Sequence, residues 1–263
     1  MNRSNNPKLV KSVCRTIDLM LLFVNTGRYL SLAEISEMMQ LPKSSAFELV
    51  HTMKVKGIIE CKDEDRKLYG LSMLAYEIGA SVIGNLGVTD VARPYIQELN
   101  RTTGGTVFLG VEDHGKVVYI DRAEDHSVFK ASAKLGSRRN LHTTSLGKAL
   151  LYAQSNDVML KLAGPEPYAT NTPLSHTTSV ELIEDAEKSR KRGYTVDDRE
   201  DGPDMFCIGS ALRDRNNSVV AAISVASVYS MLNDTKKELI ARQVKETAMA
   251  ISKKMGFQGS RIY

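Results

Sequence analysis

Apolar and polar residues alternate near the N-terminus in a pattern that predicts two amphipathic helices. A first helix is expected from about Ser12 to Asn25, because apolar side chains recur there every three or four residues. These side chains are Val13, Ile17, Met20, Leu21 and Val24. Ser31 and Glu34 have the spacing of a capping box, so a second helix is predicted to begin at Leu32. Its buried residues would be Leu32, Ile35 and Met39.

A third helix is predicted from Pro42, because proline suits the first turn of a helix. The apolar side of this helix consists of Ala46, Leu49, Val50 and Met53. Its other side carries mainly groups that form hydrogen bonds. These residues are Lys43, Ser44, Ser45, Phe47, Glu48, His51, Thr52 and Lys54. A helix face of this kind faces either a polar partner or water.

The next segment predicts an antiparallel hairpin with the charged tip CKDEDRK. The apolar residues that flank this tip are Ile58, Ile59, Leu68 and Leu71. Helix, turn, polar helix and hairpin together form a winged helix-turn-helix, which places the second helix of the motif in the major groove of DNA. We therefore expect residues 1–71 to bind double-stranded DNA, with further contacts from Ser31, Arg66 and Lys67. The alternative is a winged domain that binds another protein and no DNA.

Composition narrows the class of protein. The chain has 263 residues, of which 42% are hydrophobic and 25% charged, as in globular proteins. Its apolar runs are too short to span a membrane and no export signal is visible, so we expect a cytoplasmic protein without a membrane partner. Three separate cysteines and five scattered histidines favour reduced thiols and no metal site, and we expect no cofactor.

Three segments carry a resemblance to a known family: VCRTIDLMLLF, LSLAEISEMMQLPKSSAFELVHTMKVKGIIE and YGLSMLAYEIG. They resemble the N-terminal domain of the IclR family of bacterial transcriptional regulators, in which the LPKS turn is typical. The resemblance implies a regulator, more often a repressor, that binds a pseudo-palindromic operator. The family often has arginine where this chain has Glu48. Glu48 would either accept a hydrogen bond from a cytosine amino group or point away from DNA.

Residues 72–88 predict a linker helix between two domains. Its apolar stripe consists of Leu74, Ile78, Val82 and Ile83, with small residues between them. Because palindromic half-sites require a dimer, this helix is expected to hold two chains together. The alternative is that it packs on its own domain. The resemblance implies a homodimer or a tetramer.

From residue 89 to residue 263, helices and strands alternate in a pattern that favours a ligand-sensing α+β domain. Helices are predicted over 93–103, 146–153 and 179–193, and from about Thr235 to Met255. Strands are predicted within 106–123 and over 127–134, 194–200, 205–214 and 218–227, with Asn216 and Asn217 in a hairpin turn. This pattern is similar to the GAF-like effector-binding domain of the IclR family.

Thr143 and Thr144 stand at the predicted start of a helix, whose free N–H groups attract carboxylates. The segment LHTTSLGKALL resembles the part of IclR proteins that receives the carboxylate of the effector. Carried across by position, the resemblance implies a pocket formed by Ser145, Leu146, Asp197, Cys207 and Ser224, with Val128, Ala131 and Met205 on its apolar side. Ser145 and Ala226 replace a glycine and a serine of the glyoxylate and pyruvate binders. We therefore predict a different small organic acid or sugar acid.

A hydrolase is the other reading of the same segment. Ser145, His142 and Asp197 contain the groups of a nucleophile, a base and an acid. The chain has no G-x-S-x-G motif around the serine, and His142 is as easily a surface residue. We therefore predict a regulator without catalytic residues.

Overall fold

The computed structural model describes residues 9–63, 65–84, 87–124 and 133–263, and for residues 80–84 it describes the backbone alone. The chain divides into two compact units, Met1–Asn85 and Leu86–Tyr263. Val128, Ala131 and most of the strand predicted over 127–134 lie outside the described residues. The same holds for the side chains of Val82 and Ile83.

The first unit consists of helices and a small antiparallel sheet. Its helices are α1 (Lys11–Thr26), α2 (Leu32–Met38), α3 (Lys43–Val55) and α4 (Met73–Gly84). Its strands are β1 (Leu30–Ser31), β2 (Ile59–Asp63) and β3 (Leu68–Leu71), in the order β1-β3-β2. Strands β2 and β3 form the predicted hairpin, with Ile59 opposite Leu71. The winged helix-turn-helix arrangement is confirmed.

Local sequence explains where α2 and α3 begin. The Ser31 hydroxyl accepts a hydrogen bond from the Glu34 N–H at 3.3 Å, and the Glu34 carboxylate accepts one from the Ser31 N–H at 2.8 Å. This confirms the predicted capping box. Pro42 is the N-cap of α3, one residue earlier than the first-turn position that was predicted. Ala46, together with Val50 and Met53, is buried as expected.

The buried side of α1 differs from the stripe that identified the helix. Leu19 and Phe23 are buried against the core of this unit. Four of the five residues in the stripe are at least 51% exposed, namely Val13, Ile17, Leu21 and Val24. Helix α1 has apolar residues on two sides, and the small core of the unit covers one of them.

The second unit is built on an antiparallel sheet, which has the order β6-β5-β4-β9-β8-β7 in the described residues. The strands are β4 (Thr106–Asp113), β5 (Lys116–Ala123), β6 (Arg138–Asn140), β7 (Thr195–Asp198), β8 (Met205–Arg213) and β9 (Val219–Val228). The helices are α5 (Val88–Thr103), α6 (Ser145–Tyr152), α7 (Asn156–Ala163), α8 (Ser179–Arg192) and α9 (Asp234–Lys254). A single-turn 3-10 helix, Tyr229–Met231, follows β9.

Alternation along the strands assigns each side chain to one of two cores. Val107 and Leu109 pack with α5 and α9, whereas Phe108, between them, packs with α6. Ile208 and Cys207 divide in the same way on β8. The period-two pattern of the strands therefore brings Phe108 and Cys207 to the face that α6 covers.

The structure differs from the predicted elements at three places. Helix α5 begins at Val88 rather than Arg93, so Pro94 lies inside it. The helix tolerates this proline because only one backbone hydrogen bond is lost and its buried side already begins before Pro94. Strand β6 and helix α7 were not predicted. Strand β6 has three residues and forms by pairing with β5, which local sequence does not reveal.

No helix in the described residues is long and apolar enough to cross a membrane.

Candidate effector pocket and DNA-binding surface

A cavity of about 310 Å³ lies in the second unit, between the start of α6 and one face of the sheet. It brings together all the described residues that were predicted to bind the effector: Ser145, Leu146, Asp197, Met205, Cys207 and Ser224. It also contains residues that were not predicted, including Phe108, Tyr119, Arg139, Thr144, Asp201 and Asp204. The cavity is within the usual size range of small-molecule sites.

Strand pairing places the polar groups of the cavity side by side. Asp197 on β7 is opposite Cys207 on β8, and Cys207 is opposite Ala226 on β9. Ser224 is opposite Phe108 on β4. Residues directly opposite one another on antiparallel strands present their side chains to the same face. The cavity floor is therefore formed by two neighbouring rows of side chains on one face of four strands.

The start of α6 lies close against this floor. The Thr144 hydroxyl caps the helix by accepting a hydrogen bond from the Gly147 N–H at 3.0 Å. The Ser145 carbonyl accepts a hydrogen bond from the Thr195 hydroxyl at 2.7 Å. A side chain at Gly209 would lie 2.6 Å from the Ser145 carbonyl oxygen, so this close approach requires glycine. The N–H groups of Ser145 and Leu146 come first in the helix and have no acceptor within it.

Asp197 is a buried carboxyl group, 2% exposed, on the cavity wall. Burial raises the pKa of Asp197 to about 7, against the effect of the hydrogen bonds that it accepts from the backbone N–H groups of Glu200 and Asp201. The nearby carboxylates of Glu200 and Asp201 raise this pKa further. Burial also raises the pKa of the Cys207 thiol, which is therefore a neutral group in the cavity. Near neutral pH, Asp197 is able to donate a proton to a bound anion.

The raised pKa predicts how Asp197 changes stability with pH. Folded Asp197 retains its proton up to about pH 7, whereas the unfolded carboxyl loses it near its ordinary value, so this group lowers stability as pH rises between the two values. Asp197→Asn removes the effect, since asparagine carries no proton that titrates. The variant should therefore gain about 1–2 kcal/mol relative to the wild type between pH 5.5 and 7.5, measured by denaturant unfolding.

The matched control is Asp198→Asn, the next residue on β7, whose side chain is 45% exposed and paired with Arg199. Its free energy of unfolding should follow that of the wild type across the same pH range. Parallel pH curves for Asp197→Asn and the wild type would contradict the assignment.

Arg139 provides a positive charge at the cavity wall. Its guanidinium lies 3.8 Å from a carboxylate oxygen of Asp201. The other oxygen of Asp201 accepts hydrogen bonds from the Thr143 hydroxyl at 2.8 Å and from the Asn171 amide at 2.7 Å. Asp201 is thus fixed in place, whereas the long contact leaves Arg139 able to bind an anionic ligand.

A buried ionic cluster lies behind the cavity. The Lys148 side chain, 1% exposed, donates hydrogen bonds to Asp185 at 2.8 Å and to Glu200 at 2.6 Å. The Tyr152 hydroxyl also donates to Asp185, at 3.0 Å. Burial raises the pKa of Glu200, and Lys148 partly opposes this. Because the Glu200 N–H holds Asp197, the cluster fixes one side of the cavity.

The hydrolase reading is not supported by the geometry. His142 is buried, contrary to the expectation of a surface position, because the segment around Ala169 covers it. Its ring nitrogen Nε2 is 2.8 Å from the Ala169 carbonyl oxygen, and its ring packs against Tyr168. Burial lowers the pKa of His142. The imidazole therefore bonds to backbone, and no contact joins it to Ser145 in the described residues.

Two of the cavity residues that were not predicted, Phe108 and Tyr119, could have been found from the alternation of side chains along their strands. Phe108 and Tyr119 are aromatic residues on predicted strands, and their rings meet edge to face at 5.0 Å. Arg139 lies on the unpredicted strand β6. Asp201 and Asp204 belong to a loop whose path depends on distant contacts, such as the hydrogen bond from the Thr172 hydroxyl to the Arg199 carbonyl.

The candidate DNA-binding surface is the exposed side of α3 in the first unit. Ser45 is half-buried, and the other predicted residues of α3 are exposed. The exposed residues are Lys43, Ser44, Phe47, Glu48, His51, Thr52 and Lys54. The rings of Phe47 and His51 stack with their centres 5.8 Å apart. The Thr52 hydroxyl donates to the Glu48 carbonyl at 2.7 Å. The free N–H groups at the start of α3 are suited to a phosphate.

Three predicted residues lie away from α3. Arg66 and Lys67 are exposed at the tip of the β2–β3 hairpin, where Arg66 lies 3.8 Å from the Asp63 carboxylate. Ser31 differs from them, since its hydroxyl is engaged in the cap of α2. A phosphate contact by Ser31 would have to compete with that cap.

Two family models match the chain. The family model described as "Bacterial transcriptional regulator IclR C-terminal" matches residues 80–253, and "IclR helix-turn-helix domain" matches residues 12–63. The chain belongs to the IclR family. This family assignment confirms a transcriptional regulator with a helix-turn-helix DNA-binding domain and an α+β C-terminal domain.

Two curated relatives of this IclR-family regulator come from Escherichia coli K12. The HTH-type transcriptional repressor AllR is 30% identical over 93% of the chain and 90% of AllR. The HTH-type transcriptional regulator XynR is 28% identical over 95% of the chain and 98% of XynR. The crystal structure of Thermotoga maritima IclR superposes with a TM-score of 0.82 at 27% identity, covering 94% of this chain and 99% of that one. These relatives are named as regulators of transcription.

Proposed function

We propose that this IclR-family protein is a cytoplasmic transcriptional repressor, without catalytic activity, whose affinity for its operator is controlled by a small hydroxylated acid. The observation that carries this proposal is the cavity that the first residues of α6 line together with several hydrogen-bonding side chains. The similarity to AllR, which is named a repressor, supports the direction of control. The two units separate the roles, with α3 for DNA and the cavity for the effector.

Different groups that line the cavity favour different parts of the ligand. The N–H groups of Ser145 and Leu146, together with the Arg139 guanidinium, suit a carboxylate. Asp201 and Asp204 provide acceptors, which suit the hydroxyl groups of a sugar acid or a longer hydroxy acid. Phe108 and Tyr119 cover an apolar side. A polyhydroxylated acid uses all three surfaces, whereas glyoxylate and pyruvate are too short to reach them together.

Protonation of Asp197 should control the affinity for this ligand. The start of α6 and Asp197 line the same cavity, so a carboxylate bound at the start of α6 favours the protonated form of Asp197. Because the pKa of Asp197 is about 7, affinity should fall as pH rises above that value. The ligand itself stays ionised, since carboxylic acids of this class have pKa values near 4.

The experiment is a thermal-unfolding screen against sugar acids, hydroxy acids, glyoxylate, pyruvate and the parent sugars. A ligand at a hundred times its dissociation constant adds about 2.7 kcal/mol, which gives a clear shift in Tm. We expect a shift with a sugar acid or hydroxy acid. Asp197→Ala should abolish this shift, and Asp198→Ala, on the same strand outside the cavity, should retain it. A shift with glyoxylate or pyruvate alone would contradict the ligand class.

On the DNA side, we propose that two copies of the chain bind the two halves of a pseudo-palindromic operator. The two half-sites of such an operator require two recognition helices, one from each copy. Helix α4 supports this, since Met73, Tyr76 and Ile78 are more than half exposed on an apolar helix. Phe47 offers an apolar surface for a thymine methyl group, and Glu48 an acceptor for a cytosine amino group. A tetramer would contain two such pairs.

A further inference from the structure

A second concave site lies in the effector-binding unit, away from the effector cavity. Its volume is about 280 Å³, and it is formed by the end of α8, by α9 and by the C-terminal segment. Five of its lining side chains are basic, and none is a carboxylate. We name this site the cationic cleft, defined by Arg190, Lys191, Arg192, Lys245 and Arg261. It has no lining residue in common with the effector cavity.

Two of the five cations have structural tasks. The Arg190 guanidinium donates hydrogen bonds to the carbonyls of Tyr152 and Gln154 and to the Asn156 side chain, at 2.8–2.9 Å. It therefore holds the connection between α6 and α7. The Arg192 guanidinium donates to the Tyr194 carbonyl and to the Ser189 hydroxyl, both at 2.8 Å.

The other three cations have no such task. Lys191, Lys245 and Arg261 are exposed, and no ion pair joins any of them to a carboxylate in the part of the chain that the structure describes. They come from α8, from α9 and from the C-terminal segment, so their proximity is a product of folding and not of a basic run in the sequence. Like charges that converge in this way repel one another in the folded state. An anion that binds between them removes this cost.

Hydrogen bonds fix the C-terminal segment that lines the cleft. The C-terminal segment is tied to β8, because the Arg213 side chain donates to the Ile262 carbonyl at 2.6 Å and the Tyr263 hydroxyl accepts from the Ala211 N–H at 3.2 Å. Gly193 ends α8 with a φ of 81°, and a side chain there would meet Lys245 at 3.2 Å. The absence of a side chain at Gly193 therefore allows Lys245 to lie across the end of α8.

We propose that the cationic cleft binds a small phosphorylated metabolite, separately from the effector cavity. A phosphate monoester carries a charge of about −2 and three acceptor oxygens, which match three donors that approach from different segments. Two lysine ammonium groups supply point charges, and the Arg261 guanidinium supplies a planar pair of donors. Met249 and Ile262 provide an apolar surface for the organic part of the ligand. The volume limits that part to about the size of a sugar.

The test is isothermal titration of the full chain with glucose 6-phosphate, pyrophosphate, inorganic phosphate and glucose at constant ionic strength. Glucose 6-phosphate should bind saturably, with one site per chain, and glucose should not bind. Lys245→Glu should weaken this binding at least tenfold, because it replaces a cation of the cleft by an anion. Lys253→Glu is the matched control, since Lys253 is exposed on the same helix outside the cleft, and its effect should be less than twofold.

Two further variants keep the outcome decisive. Lys191→Ala/Arg261→Ala removes the other two free cations and leaves α9 unchanged, so it should weaken binding in the same way. Asp197→Ala should have no effect on phosphate binding, because Asp197 belongs to the other site. The proposal is overturned if no phosphorylated compound binds saturably, or if binding is lost in Asp197→Ala and kept in Lys245→Glu. A change of oligomeric state in Lys245→Glu with unchanged phosphate binding would instead assign these cations to an interface.

Discussion

Lys148→Met should lower the free energy of unfolding by about 3–5 kcal/mol, because it removes the buried cation that both carboxylates of the cluster bind. Lys148 is fully buried and donates to both Asp185 and Glu200. Methionine has a similar length, so the change removes the charge with little change in packing. The loss should be measured by denaturant unfolding, together with the slope, to confirm that the same surface unfolds.

The pH dependence of this loss provides an internal check. Without Lys148, burial and the nearby Asp185 carboxylate raise the pKa of Glu200 further, and only His176 opposes them, so the carboxyl group becomes neutral more readily as pH falls. The difference from the wild type should therefore be larger at pH 8 than at pH 5. Lys161→Met, on the exposed side of α7, is the control and should stay within about 0.5 kcal/mol. A loss below about 1 kcal/mol for Lys148→Met would contradict the role of the cluster.

Ser44→Glu/Ser45→Glu should lower DNA affinity by at least about a hundredfold. Each lost base contact costs about 1–3 kcal/mol, and the two new carboxylates also face the DNA phosphates. The fold should persist, because acidic residues in the first turn of a helix stabilise it. Affinity should be measured by fluorescence anisotropy at fixed salt, with a duplex that the wild type selects from a random library.

The control for this variant is Ser230→Glu/Thr235→Glu, which adds the same charge at exposed positions of the other unit. Its DNA affinity should remain within about threefold of the wild type. If Ser44→Glu/Ser45→Glu retained this affinity as well, α3 would not be the recognition helix. If the wild type selected no duplex at all, the protein-binding alternative would be favoured.

Part of the effector cavity could be predicted from the sequence. The described positions among those carried across from the IclR resemblance meet in one cavity, because they follow a cap and three strands whose alternation is local. Arg139 was missed because β6 is short and exists only through its pairing with β5. Asp201 was missed because its position depends on Thr143 and Asn171, which are distant in sequence.

The sequence by itself determined the elements whose signals are local. The capping box of Ser31 and Glu34 and the cap at Thr144 are satisfied within one turn, so neighbouring residues are sufficient to predict them. Tertiary structure decided which surfaces are buried and which charges meet. It buried His142 under Ala169 and left four of the five residues of the α1 stripe exposed. It also brought together the cations of three segments in one cleft, because burial and charge proximity depend on contacts between residues far apart in the chain.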